Sequence, residues 1–149
     1  MKNNLNLKNF KAAQKFDDLI EVLKTLLGPE GCDWDRAQTS ESLVPYLLEE
    51  TYEVIEAIDE KKPLALKEEL GDLMLHVIFQ TQLAEKKGDF NIEETLEDIS
   101  DKLIRRHPHV FKKGYSAVNN SSEFSWELSK QKEKNRNSIL DGIPKNLPA

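Results

Sequence analysis

The sequence predicts an all-α protein, a bundle of four to five helices with antiparallel helices carrying a set of carboxylates. Three observations lead there. Apolar residues recur at spacings of three and four over long stretches, as in Phe16, Leu19, Ile20, Leu23, Leu26 and Leu27. Only six Gly and six Pro occur in 149 residues, and long stretches lack either. No run alternates apolar and polar residues at the period of a strand for a useful length.

Taken in order, residues 1–9 are a polar, Asn- and Lys-rich arm with no apolar run, neither signal peptide nor membrane anchor. A first helix is expected from about Phe10 to Leu27, stopped by Gly28-Pro29-Glu30-Gly31. Cys32 to Thr39 reads as a polar loop around Trp34; the indole either caps the core or contacts a substrate. A second helix runs from about Ser40, as N-cap, to Glu60, with Pro45 early and Leu43, Leu47, Val54, Ile55 and Ile58 on the core side. After Lys61-Lys62-Pro63 a third helix covers Leu64 to Lys87, with Leu66, Leu70, Leu73, Met74, Val77, Ile78 and Leu83 as its stripe. The short connection makes these two helices antiparallel neighbours. Asn91 and Glu94 are spaced as a capping box for a fourth helix to Arg106, directing Leu96, Ile99, Leu103 and Ile104 inward. A fifth helix is expected from Ser122 to Asn135, carrying Trp126 and Lys130. One domain over 10–136 and a tail or linker over 137–149 complete the expectation.

Function is written in the acidic residues. Glu50 and Glu53 are three apart, as are Glu69 and Asp72, so each helix presents a carboxylate pair from one side. Packed antiparallel, the two helices bring four carboxylates together, and each pair at roughly 5 Å repels by about 3 kcal/mol at an effective dielectric near 20. A divalent cation removes that repulsion, and all-oxygen ligation favours a hard ion, Mg²⁺ or alternatively Mn²⁺. Glu56, Asp59 and Glu60 read as a solvated face instead. His76, one turn beyond Asp72, reads as a packing residue ahead of a ligand. Lys102, Arg105 and Arg106 close the fourth helix, where they complement its dipole or bind phosphate.

Composition excludes other classes. A net charge of −6 argues against a nucleic-acid partner, and no apolar segment is long enough to span a membrane. The single cysteine, Cys32, cannot form an internal disulfide, which fits a cytoplasmic location. A di-iron helical oxidase wants Glu-x-x-His twice, and no His here lies three residues after a Glu.

Four motifs in order now carry a resemblance. Gly31-Cys32-Asp33-Trp34-Asp35, Leu48-Glu49-Glu50-Thr51-Tyr52-Glu53, Glu69-Leu70-Gly71-Asp72-Leu73 and Arg105-Arg106-His107-Pro108-His109-Val110-Phe111 together resemble the MazG family of nucleoside triphosphate pyrophosphohydrolases. The likeness covers roughly residues 15 to 148 and is to the first of the two domains that bacterial members often carry in tandem. It implies cleavage between the α and β phosphates, giving monophosphate and pyrophosphate. It implies Mg²⁺ held by Glu50, Glu53, Glu69 and Asp72, with Glu49 as a further candidate to orient water or serve as an outer ligand. By position Lys102 and Arg106 are similar to the family's phosphate-binding residues, extended by Trp126 and Lys130. Trp34, Asp35 and Gln38 become candidates for the base side. The resemblance also implies a homodimer or dimer of dimers, and a housecleaning role. The family usually has Pro where Asp33 stands, which bears on the Trp34 loop. Two rivals stay open: a related dUTPase-like or phosphoribosyl-ATP-cleaving enzyme, and a catalytically weak regulatory or dimerisation domain.

Overall fold

The computed structural model describes residues 10–111, in which six helices and no strand occur. They are α1 (Phe10–Leu26), α2 (Asp33–Arg36), α3 (Val44–Asp59), α4 (Pro63–Lys87), α5 (Ile92–Arg106) and α6 (Pro108–Phe111). The described residues fall into two compact units, 10–95 and 96–111, with the division inside α5. The expected arm, fifth helix and tail lie outside the described residues, and so do Trp126 and Lys130.

Within the first unit, α4 is the central helix, packing along α3 and against α1. The core joins Ile20, Leu23 and Leu27 of α1 and its C-terminal turn to Ile78, Phe79 and Leu83 of α4, closed by Leu43 and Ile92. Phe16 and Leu19 pack on its edge. Gly31 has a steric reason for being glycine. A Cβ there would stand 2.0 Å from the Leu26 carbonyl oxygen, so only a bare backbone passes so close to the end of α1. The crossing is fixed by the Cys32 N–H donating to the Leu26 carbonyl at 2.9 Å.

The α3–α4 turn is tight for a physical reason. Lys62 N–H donates to the Ala57 carbonyl and Lys61 N–H to that of Ile58, the paired bonds of a Schellman ending. Lys61 takes the left-handed conformation (φ 56°) that this ending requires, and Pro63 then opens α4. Gly88 ends α4 in the same way, at φ 75°.

Several expectations need correction. The second helix starts at Val44, with Leu43 and not Ser40 as N-cap and no side-chain cap, because residues 39–42 form a separate turn: the Thr39 hydroxyl accepts the Ser42 N–H, while Ser42 Oγ accepts that of Thr39. The Cys32–Thr39 loop contains the one-turn helix α2, and His107 is followed by α6. In α3 and its N-cap, Leu43 and Ala57 are buried and Leu47 and Val54 half-buried, but Ile55 and Ile58 are exposed. The reason is geometric: residues 43, 47, 50, 54 and 57 form the stripe toward α4, and no second described layer covers the rest. For the same reason Leu70, Met74 and Val77 of α4 stay exposed, as does Leu26. In the second unit Leu96, Ile99 and Leu103, expected inward, are exposed.

Candidate metal and nucleotide site

The α3–α4 seam explains why the carboxylates meet. Glu50 falls in the α3 stripe between Leu47 and Val54, at a position where an apolar residue would ordinarily sit. On α4 the matching stripe is Leu66, Glu69, Leu73, His76, Gln80 and Leu83, so Glu69 takes the same kind of position. The Gln80 amide donates to the Ser40 carbonyl at 3.2 Å and ties the far end of the seam. One carboxylate oxygen from each of Glu50, Glu69 and Asp72 lies within 4.8 Å of the other two. Glu50 and Glu69 are half-buried.

The electrostatics follow from this crowding. Burial, followed by the charges of Asp72, Glu53, Glu69 and Glu49, pushes the Glu50 carboxyl above its ordinary range. Glu69 is raised too, first by burial, then by Glu53, Glu68 and Asp72, with hydrogen bonding to Glu53 acting in the same direction. Glu53 therefore belongs to the cluster as the neighbour of Glu69, although it stands outside the tight trio. Glu49 acts on Glu50 through its charge from an exposed position. His76 is buried with its Nδ1 lacking a hydrogen-bond partner, and burial lowers its pKa against the opposing pull of Asp72. Three hard oxygen donors at this separation suit a small divalent cation, which would replace the mutual repulsion with attraction.

The Trp34 segment is held by a network. The Arg36 guanidinium donates to the Asp33 carboxylate and to the Pro29 carbonyl, so the Asp33 charge is paired within the loop. Gln38 Nε2 donates to the Trp34 carbonyl at 2.9 Å, and its Oε1 accepts from Ser42 Oγ at 2.7 Å. Gln38 thus spends its amide on shaping the loop. Asp35 is half-buried in α2, and the Trp34 indole is half-exposed. The indole lies 5.8 Å from the Tyr46 ring at 81°, an edge-to-face pair. Tyr46 escapes a reading of the sequence alone, because its only signal there is to stand one helical turn before Glu50.

In the second unit, Lys102 is half-buried, Arg105 exposed and Arg106 buried. His107 Nδ1 lies 2.7 Å from the Leu103 carbonyl, and its ring stands 5.7 Å from that of His109. No helix of the described residues is long and apolar enough to cross a membrane.

Residues 38–111, which hold all the clustered carboxylates, match the model of the MazG nucleotide pyrophosphohydrolase domain. The chain carries a MazG domain. It is 50% identical over 123 residues to the nucleoside triphosphate pyrophosphohydrolase/pyrophosphatase MazG of Thermotoga maritima, covering 81% of this chain and 46% of that protein. It is 45% identical over 141 residues to the nucleoside triphosphate pyrophosphohydrolase of Escherichia coli, covering 91% and 53%. The chain thus spans about half the length of these relatives. The crystal structure of a MazG-related protein from Thermotoga maritima superposes with a TM-score of 0.63 at 24% identity, over 77% of this chain and 98% of the other. That likeness extends the all-helical MazG architecture to this chain.

Proposed function

We propose that this MazG domain is a Mg²⁺-dependent nucleoside triphosphate pyrophosphohydrolase that cleaves between the α and β phosphates of ribo- and deoxyribonucleotides, releasing monophosphate and pyrophosphate. The convergence of Glu50, Glu69 and Asp72 within 4.8 Å carries this reading, and the names of the relatives agree with it. When bound, a divalent cation supplies neutralisation of phosphate charge and Lewis-acid polarisation of the phosphorus. Glu50, Glu53, Glu69 and Asp72 would hold that cation, with Glu53 standing beside Glu69. Glu49 is assigned to orienting the attacking water or to serving as an outer ligand. Lys102, Arg105 and Arg106, with Trp126 and Lys130, are assigned to the phosphates, and Trp34, with Asp35 and Gln38, to the base. A cytoplasmic housecleaning role is assigned with it.

Product analysis on a panel of nucleoside triphosphates tests the reading. Monophosphate and pyrophosphate should form with Mg²⁺ and vanish with EDTA. Diphosphate and orthophosphate would place the cut at the wrong bond. A folded protein without turnover, in Mg²⁺ or Mn²⁺, would make it a regulatory or dimerisation domain.

The same domain is assigned a homodimeric assembly, alone or as a dimer of dimers. Val44, Leu48, Tyr52 and Ile55 form one exposed stripe on α3, and Leu70, Met74 and Val77 another on α4. Both are displaced in the same rotational sense from the seam, so an antiparallel pair turns them to one side. An apolar face of this kind is characteristic of an association surface. Leu48→Glu combined with Met74→Glu should convert the assembly to monomer by light scattering while leaving helicity intact. Wild-type protein that is already monomeric at micromolar concentration would rule the assembly out.

A further inference from the structure

We propose that Tyr46 is the positioning residue that sets the plane of the Trp34 indole, so that the two rings form one aromatic edge for the nucleobase of the bound nucleotide. This role rests on the reading of the carboxylate cluster as a metal–triphosphate site and adds where the other end of the nucleotide goes.

The placement follows from helix register. Tyr46 and Glu50 are four apart on α3, which puts them on one face about 6 Å along the axis. Glu53 continues that face. The Tyr46 ring therefore stands one turn from the first carboxylate, and the Trp34 indole lies 5.8 Å beyond it. A nucleotide whose phosphates meet Glu50, Glu69 and Asp72 can direct its base toward these rings. No other described aromatic pair occurs on this side of the seam.

Three features separate the pair from ordinary core aromatics. Trp34 is 51% exposed and Tyr46 41%, so neither ring is there to fill the interior. At 81° the contact is edge to face, which occupies at most one indole face and leaves the other for stacking. The Trp34 backbone is also prepared. Gln38 grips its carbonyl, Ser42 holds Gln38, and Ser42 belongs to the turn that leads into α3 and Tyr46. Arg36 ties the preceding turn to Pro29. An indole on so constrained a backbone still has its own side-chain torsions, and the Tyr46 ring is what limits them.

The test is calorimetric titration of the full chain in Mg²⁺ with two probes, an α,β-methylene nucleoside triphosphate and inorganic tripolyphosphate, which lacks a base. Tyr46→Ala should weaken the methylene analogue about tenfold, the scale of one lost base stack, and leave tripolyphosphate binding unchanged. Tyr46→Phe should restore the analogue, because the edge-to-face contact needs the ring and not the hydroxyl. In a Trp34→Ala background, Tyr46→Ala should add nothing, the non-additivity expected of a residue acting through another. Equal losses for both probes, additive losses, or no loss in Tyr46→Ala would each overturn the proposal while the metal–triphosphate reading stands. Wild-type protein that binds neither probe would overturn both.

Discussion

Glu50→Gln is expected to lower turnover roughly 1,000-fold, the loss of a few kcal/mol of transition-state stabilisation, and to make the metal-free protein more stable. The two effects have one cause. Glu50 is held against Asp72, Glu53 and Glu69 in a half-buried seam position, which pushes its carboxyl above the ordinary range. Gln has the shape of the protonated acid and removes a negative charge from that crowd. After screening by solvent, the relief is about 1 kcal/mol, which raises the melting temperature by about 2–4 °C for a chain of this size. Added Mg²⁺ should stabilise the wild type and not the variant, so the order of the two melting curves narrows or reverses with the cation. Calorimetric melting with EDTA and with Mg²⁺, beside initial rates, reads all of this. A variant that keeps its turnover would mean that Glu50 holds no cation. A variant less stable than wild type in EDTA would mean that the carboxylate makes favourable contacts in the fold.

This coupling of strain to function explains which parts of the molecule the sequence discloses. The helices from Phe10 and Pro63 are legible because their apolar periodicity is long and their stops are Gly and Pro. The carboxylate site is legible because helical spacing puts Glu50 beside Glu53 and Glu69 beside Asp72, and the short turn after α3 makes the helices antiparallel. The α2 turn is missed because four residues carry no period. Ile55, Ile58, Leu70, Met74 and Val77 are misassigned to the core for a different reason. Periodicity shows that a helix face is apolar but not whether its partner belongs to the same chain. The contact between Trp34 and Tyr46 depends on how the loop crosses the end of α1 at Gly31, which is tertiary geometry with no local signature.

Ile78→Ala is expected to destabilise the fold by about 3–4 kcal/mol, a large part of the roughly 5–15 kcal/mol that a domain has. Ile78 is 0% exposed and sits where α1, α4 and the start of α5 meet, in the same cluster as Leu23, Phe79 and Ile92. Truncation leaves a void that those neighbours cannot close without moving a helix. The control is the adjacent residue. Val77 is 44% exposed on another face of α4, and Val77→Ala should shift the stability of the isolated subunit by less than about 0.5 kcal/mol. Urea unfolding at several protein concentrations separates the two. The Ile78→Ala midpoint should fall at every concentration, because the packing around Ile78 lies within one chain. Any Val77→Ala effect should grow with protein concentration, because Val77 belongs to the face assigned to a second copy. Concentration-independent losses of similar size at both positions would place Val77 in the core of a single chain and remove the α4 stripe from the interface.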